Sequence, residues 1–490
     1  MCCRPLQTLV LTVLALACAA PAESQTLDDV GPIRGAHELR SVRETAPQPV
    51  MRFRAREGED GGCGDARVTM GDSYIAIVCG DRQRLYDLRL KRLLEVDQAS
   101  NSVANISLFT LPALKSHQFD VEIRKAQGKP GYWKSVRPQA VDPALANRVA
   151  AGMNYRDDDF RVPKTTTESV DDAVHRISSD SGAVRATLSD MAWEDGDAKL
   201  FRRYLRYRLS LAPELSDAIA RLPRLPIKID RREDDGWTAL WSASDAKRTE
   251  APYPLPADAH LTHAHLPKIL QDLVPTLEQQ VADGLPAPQR PADLMPAIEA
   301  AEARGDWVSV YLISSATSVP NALTCRGLAR DAVTCTDLLR KRRQAMEADD
   351  RLRQIKSVIA RVPDDPDRYM AALETLVGLD LSELDHAYRL ETAMARMISA
   401  AERREDINAE AVAKMAPDPE ALFARALKAR PSNAIAFRDF GDFYYTRGDK
   451  AAAWFLYDIG RMIVPAGKRS RLRIATEIEG DLLRKQPGFF

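Results

Sequence analysis

The chain has 490 residues, with 69 Lys and Arg against 70 Asp and Glu and a hydrophobic fraction of 45%. That length supports two or three domains, and the apolar content excludes an intrinsically disordered chain. The near-neutral balance argues against a nucleic-acid partner, because phosphate recognition needs a basic excess concentrated on one face.

Residues 1–22 read as a signal peptide. Arg4 supplies the positive start, Leu6 to Leu16 is a mostly apolar run, and Ala20-Pro21-Ala22 offers a small-x-small cleavage site. Ala15 to Cys18 resembles a bacterial lipoprotein signal, although Ala15 stands where Leu is preferred. Ordinary cleavage is therefore expected, with a lipid anchor at Cys18 as the alternative. No later stretch approaches the roughly 18 apolar residues of a transmembrane helix. The expected location is periplasmic or secreted, and an outer-membrane lipoprotein if Cys18 is acylated.

Residues 23–60 are polar and charged and read as a flexible arm. Residues 61–126 read as an antiparallel β meander plus a helix. Strands are expected at Val68–Met70, Tyr74–Cys79, Arg84–Leu88 and Leu93–Val96, separated by turns such as Gly71-Asp72, with a helix over Ser107–Ala126. Residues 127–250 read as a mixed α+β region that opens with loop to about 165. Strand candidates follow at Ala173–Ser178, Val184–Leu188, Pro226–Asp230 and Trp237–Trp241, with a helical stretch from Ala198 to Leu222 interrupted at Pro213. Whether the two strand regions form one domain is left open. Lys247–Ala259, rich in proline, is read as the linker between domains.

Residues 251–490 read as helical. Apolar residues recur at 3.6-residue spacing over Leu266–Ala282, Pro291–Arg304, Trp307–Ser315, Arg326–Arg361, Pro366–Val377, Glu383–Arg403 and Pro419–Ala429. The fold class is thus α+β, with an N-terminal antiparallel β-rich region and a C-terminal α-solenoid. The terminal Phe489-Phe490 is expected to dock on the last helix pair as a cap.

Cys63, Cys79, Cys325 and Cys335 follow the signal. An even count in an exported chain favours disulfides, and the spacing favours Cys63–Cys79 and Cys325–Cys335, with buried free thiols as the alternative. His260, His263 and His265 cluster in one segment, but their spacing does not share a helix face, so they are weak metal candidates and no cofactor is expected. Gly71-Asp72-Ser73 superficially resembles the nucleophile block of GDS-type esterases. It lacks a late Asp-x-x-His, since Glu383 precedes His386, and a hairpin turn is the expected reading. Acidic runs at Asp157–Asp159 and Glu233–Asp235 read as solvated loops.

The segment Ala434–Gly467 is the most specific signal. Phe437, Phe440, Gly441 and Tyr444 share one face of a first helix, Gly448-Asp449 make a turn, and Ala453, Tyr457 and Gly460 face inward from a second helix before Pro465. This spacing resembles a tetratricopeptide repeat (TPR). Phe423, Ala426 and Pro431 resemble the second half of a preceding repeat, while Ile407 stands where that repeat's packing glycine belongs. The resemblance implies a concave face lined by Ile435, Arg438, Asp442, Tyr445 and Thr446, with Arg438, Asp442 and Tyr445 as the binding residues. It implies a non-enzymatic scaffold or adaptor that binds a peptide segment or partner protein in the cell envelope. The alternative is an envelope hydrolase with its site in the α+β region.

Overall fold

A computed structural model describes residues 31–43, 46–57, 63–126, 165–179, 182–194, 196–209, 211–284, 291–316, 342–360, 362–384, 386–404, 406–464, 472–486 and 489. The signal peptide, Cys18, Asp157–Asp159, Cys325, Cys335 and Pro465 lie outside these residues.

The N-terminal strands are β1 (Gln48–Glu57), β2 (Ala66–Met70), β3 (Tyr74–Cys79), β4 (Arg82–Asp87), β5 (Arg92–Asp97) and β6 (Ser102–Ser107). After the helix Thr110–Ala126 come β7 (Thr166–Ser169), β8 (Val174–Ser179), β9 (Gly182–Ala192), β10 (Arg224–Glu233), β11 (Gly236–Ala251) and β12 (His260–Leu261). They form one 12-stranded sheet in the order β12-β6-β5-β4-β3-β2-β1-β11-β10-β9-β8-β7. All neighbours run antiparallel except β12 and β6, which are parallel. The two strand regions are therefore joined, through β1, which pairs with β2 on one side and β11 on the other.

Over the described residues 31–43 and 46–57, this corrects the reading of residues 23–60 as a flexible arm. Met51, Phe53 and Ala55 alternate with Arg52, Arg54 and Arg56, which is the two-residue period of a strand with one buried face. A helix at Ala36–Ser41 precedes it. The segment read as a linker is also part of the fold: β11 continues to Ala251, and Tyr253, Leu255 and Ala259 are buried beyond it. The helix expected from Ser107 begins at Thr110 because Ser107 ends β6.

Two layers cover the sheet. On one face the helices Asp197–Arg208 and Pro213–Ala220 set Phe201, Tyr204, Leu205 and Ile219 against Phe53, Ile177, Ile229 and Trp241. Trp241 is 1% exposed, and its rim meets Phe53, Phe201 and Tyr204 at 5.3 to 6.2 Å between ring centroids. On the other face, Ala36, Leu39, Tyr253 and Leu255 cover Val50, Ala76, Leu85 and Leu94 of the meander. Cys63 and Cys79 form a disulfide with a sulfur–sulfur distance of 2.06 Å.

The C-terminal region is built of paired helices. Pro291–Ala303 packs on Trp307–Ala316, Asp350–Ala360 on Pro366–Val377, Tyr388–Ala401 on Pro419–Ala429, and Ala434–Arg447 on Lys450–Ile463. Their core is continuous with Phe109 and Ala113 at the start of the helix Thr110–Ala126. The single helix expected over Arg326–Arg361 is broken, in its described part, at Asp349. That residue is extended, and its carboxylate caps Leu352 N at 2.7 Å, ending one helix and starting another. The stretch Leu266–Ala282 likewise divides into Lys268–Gln271 and Val274–Asp283, with Pro275 at the start of the second. Among the described residues no helix is long and apolar enough to cross a membrane.

Trp241→Ala would leave a void among three rings on the central strands. A loss of about 3–5 kcal/mol of stability is expected, measured as a lower urea midpoint for the N-terminal transition.

Candidate binding surface

The repeat-like segment folds as two antiparallel helices joined at Gly448-Asp449. Gly448 takes the left-handed conformation (φ 90°), and Asp449 caps the second helix by accepting from Ala452 N at 3.0 Å. At Gly441 an added Cβ would lie 2.3 Å from the Tyr457 ring, so glycine alone lets the helices approach this closely. Phe437, Phe440, Ala453 and Tyr457 are fully buried. Phe423 stacks on Phe440 at 4.9 Å and joins the helix Pro419–Ala429 to this pair.

The mismatch at Ile407 has a structural cause. The helix Pro419–Ala429 packs not on the residues around Ile407 but on Tyr388–Ala401, farther upstream. Residues 402–418 make a detour that holds the short helix Ala409–Met415, and Ile407 is tucked under it at 6% exposure.

Arg438, Asp442 and Tyr445 do share one face, and each is engaged within the chain. Arg438 Nη2 donates to Glu477 Oε2 at 2.7 Å, with Arg438 Nε 3.8 Å from Asp442 Oδ2. Asp442 Oδ1 accepts from the Tyr457 hydroxyl at 2.5 Å. The Tyr445 ring tilts against Trp454 at 5.7 Å and carries Lys450 Nζ 3.5 Å above its centroid. Burial lowers the Lys450 pKa to about 7. Ile435 stands 48% exposed at the start of the same helix.

Glu477 belongs to a π-helical turn, Ile474–Glu479, that continues as the helix Gly480–Lys485. This C-terminal segment is firmly held. Glu479 Oε1, buried, accepts from Arg461 Nη1 at 2.8 Å and Trp454 Nε1 at 3.3 Å. Gln486 donates to the Pro112 carbonyl at 2.7 Å. Phe489 does not cap the last helix pair as expected; its ring lies 4.9 Å from Tyr207, whose hydroxyl donates to the Phe489 carbonyl. Tyr207 offers both an aromatic face for the Phe489 ring and a donor for its carbonyl.

A buried ionic chain ties this assembly to the sheet. Arg92 on β5 donates to Asp458 Oδ2 at 2.5 Å and to Asn105 Oδ1 at 2.6 Å. Asp458 also binds Arg461, which reaches Glu479. Arg92 and Asp458 side chains are 4% and 7% exposed. In the sequence neither Asp458 nor Arg461 is singled out, and Lys91-Arg92 reads there as a turn.

The neighbouring helix Tyr388–Ala401 adds Arg396, and Arg403 follows it. Arg396 Nη1 lies 3.8 Å from Asp439 Oδ2, an oxygen that has no hydrogen bond. Burial raises the Asp439 pKa to about 6, with Arg396 offsetting part of the shift. Beyond these residues a cleft of about 450 Å³ is lined by Val377, Leu379, Leu381, Met394 and Leu422, and by the Glu391–Arg425 pair at 2.8 Å.

The other sequence candidates fall elsewhere. His260 is exposed on β12, while His263 and His265 turn inward with rings 6.4 Å apart. Burial, then the neighbouring charges of His263 and Arg92, lowers the His265 pKa to about 4. Among the described residues no group of three or more His, Cys, Asp or Glu is placed to hold a metal ion. Gly71-Asp72-Ser73 is the hairpin turn between β2 and β3. Ser73 Oγ accepts from Arg43 Nη1 at 2.9 Å, and Arg43 Nε lies 3.3 Å from buried Asp87, which accepts from the Tyr253 hydroxyl at 2.6 Å. An arginine cannot serve as the base that a serine nucleophile requires. His386 lies in the helical region, with its ring 5.9 Å from Tyr388.

Asp439 supplies a pH test. A carboxylate whose pKa is raised by folding takes up protons, so its folded state loses stability as pH rises from about 4 through 6. Asp439→Asn removes that titration. Its stability relative to the parent is expected to rise over this window by up to about 3 kcal/mol, read from thermal melts at pH 4.5 and 7.5.

No family model matches the chain, and no curated protein matches it in sequence.

Proposed function

We propose that the protein is an exported scaffold or adaptor whose C-terminal helices are TPR-like repeats that hold a segment of a partner protein or peptide. One observation carries this reading. Two helix pairs follow one another so that Arg396 from one, with Arg403 just after it, confronts Asp439 and Asp442 from the next, beside a cleft of mixed polar and apolar lining. Mixed charge next to a concave cleft that offers both kinds of surface suits an extended peptide, which needs both side-chain pockets and polar partners for its backbone.

The Arg438–Glu477 contact assigns the far end of this face to the chain's own C-terminal segment. A partner segment would enter from the cleft, whose lining includes Ser382 and Arg425. The Cys63–Cys79 disulfide agrees with an oxidising compartment such as the periplasm.

Photo-crosslinking residues placed at Ser382 and Ile435 of the full-length chain, in the producing cell, test the reading. A discrete adduct is expected at both positions and not at Lys428. Arg438→Glu should weaken the Ile435 adduct severalfold, and adding Glu477→Arg should restore it by re-forming the ion pair. Equal labelling at all three positions overturns the groove.

A further inference from the structure

The near-neutral charge of the whole chain conceals a segregated surface. The sheet face opposite the helices Asp197–Arg208 and Pro213–Ala220 is covered over the meander by residues 36–41 and 251–259. Over β1 beyond Val50, and over β2 and β8 to β11, no described element covers it. Arg52, Arg54 and Arg56 project from β1 there, with Arg67 from β2 and Lys247 from β11, all exposed.

The register sets like charges against one another. Arg52 stands opposite Lys247, Arg54 opposite Arg67, and Arg176 on β8 opposite Arg185 on β9. Cross-strand like charges destabilise a sheet. Compensation within the chain is uneven: Glu168 stands opposite Arg176 and Asp230 opposite Arg185, whereas over β1 and β2 it is thin. Asp65 and Asp245 lie 3.6 and 3.8 Å from Arg54, and Asp230 serves Arg185 and Lys228 at 2.8 and 2.9 Å. Among the described residues, Arg52, Arg56, Arg67 and Lys247 have no ion pair. Farther across the face, Arg176, Arg185 and Arg232 gather around Trp237 within 5.1 to 5.8 Å of its centroid.

We infer that this sheet face docks on an anionic phospholipid surface. Phosphate headgroups would relieve the three repulsive pairs at once, and each basic side chain near such a surface adds to the attraction. The cations spread over six adjacent strands, β2-β1-β11-β10-β9-β8, at roughly 4.8 Å per strand and 7 Å per alternate residue. That is a two-dimensional array rather than the single track a linear polyanion follows. Trp237 adds an amphipathic ring of the type that settles at the headgroup level. The inference is independent of the repeat reading, since none of these residues lies in the helical region.

Flotation of the purified full-length chain with vesicles tests it, using phosphatidylglycerol–phosphatidylethanolamine against pure phosphatidylcholine at 50 mM salt. Co-flotation with the anionic vesicles alone is expected, falling steeply by 300 mM salt. Arg52→Glu combined with Arg67→Glu turns two repulsive pairs into attractive ones. The melting temperature should hold or rise while partitioning falls about tenfold or more. Trp237→Phe should remove a vesicle-induced change in tryptophan emission. The inference is overturned by absence of flotation at low salt, by equal flotation with neutral vesicles, by full binding in the double variant, or by retention on heparin without flotation, which would assign the face to a soluble polyanion.

Discussion

Strand β1 is the constraint on which the rest of the sheet depends. Its pairing with β2 and with β11 is what makes one sheet of two strand groups that lie far apart in the chain. Three inward side chains, Met51, Phe53 and Ala55, anchor it in the core beneath the two covering helices, each 3% exposed or less. Backbone pairing on both sides satisfies its donors and acceptors, and the apolar alternation fixes its register. Without it, β2 and β11 would each present a bare edge, the arrangement that invites aberrant pairing with other chains. The same alternation leaves every second side chain facing outward, and all three in its central stretch are arginines.

The helical region is locked to this sheet by buried polar contacts as well as by the apolar ones at Phe109 and Phe489. Arg92, Asp458, Arg461 and Glu479 form a chain of buried charges across the boundary, with Asn105 on β6 donating to the carbonyls of Gly31 and Arg34. Buried ion pairs contribute little net stability compared with well-packed apolar groups, yet losing one partner is costly because the other is left without compensation. They tolerate one docking geometry and penalise others. The Arg43, Asp87 and Tyr253 cluster does the same on the same face, where Asp87 stands opposite Arg92, tying the N-terminal helix and the proline-rich segment to the meander.

Local pattern in the sequence was enough to find elements that bury one face or lie near a strong turn. The meander strands from Tyr74–Cys79 onward are legible because Gly80-Asp81 and Lys91 mark their ends and their apolar residues alternate. The helix pair Ala434–Ile463 is legible because Gly441, Gly448 and Gly460 occupy places where helices approach or end. Misreadings came where charge masked periodicity. Arginines made β1 look like a disordered arm, and β11 was cut short at Trp241 because its outward face is polar as far as Ala251. β6 was missed because Asn105 and Ser107 interrupt its apolar run, although both are buried and hydrogen-bonded. The shared face of Arg438, Asp442 and Tyr445 was legible as a set of residues. Its occupation by Glu477 was not, since only tertiary structure brings the C-terminal segment there.

The pairing of Gln48 with Ala251, and of Arg92 with Asp458, carries a consequence for the order of events during synthesis. The meander pairs its strands β2 to β6 locally and can collapse early, but β1 keeps one unpaired edge until β11 has emerged, and Arg92 stays without its counter-charge until the final helices arrive. Contacts this distant along the chain are slow to close. A chain delivered N-terminus first must therefore pass through a lengthy stage with a sticky edge and a buried-to-be arginine both exposed. Its vulnerability to aggregation and proteolysis belongs to that interval of biogenesis rather than to the finished molecule.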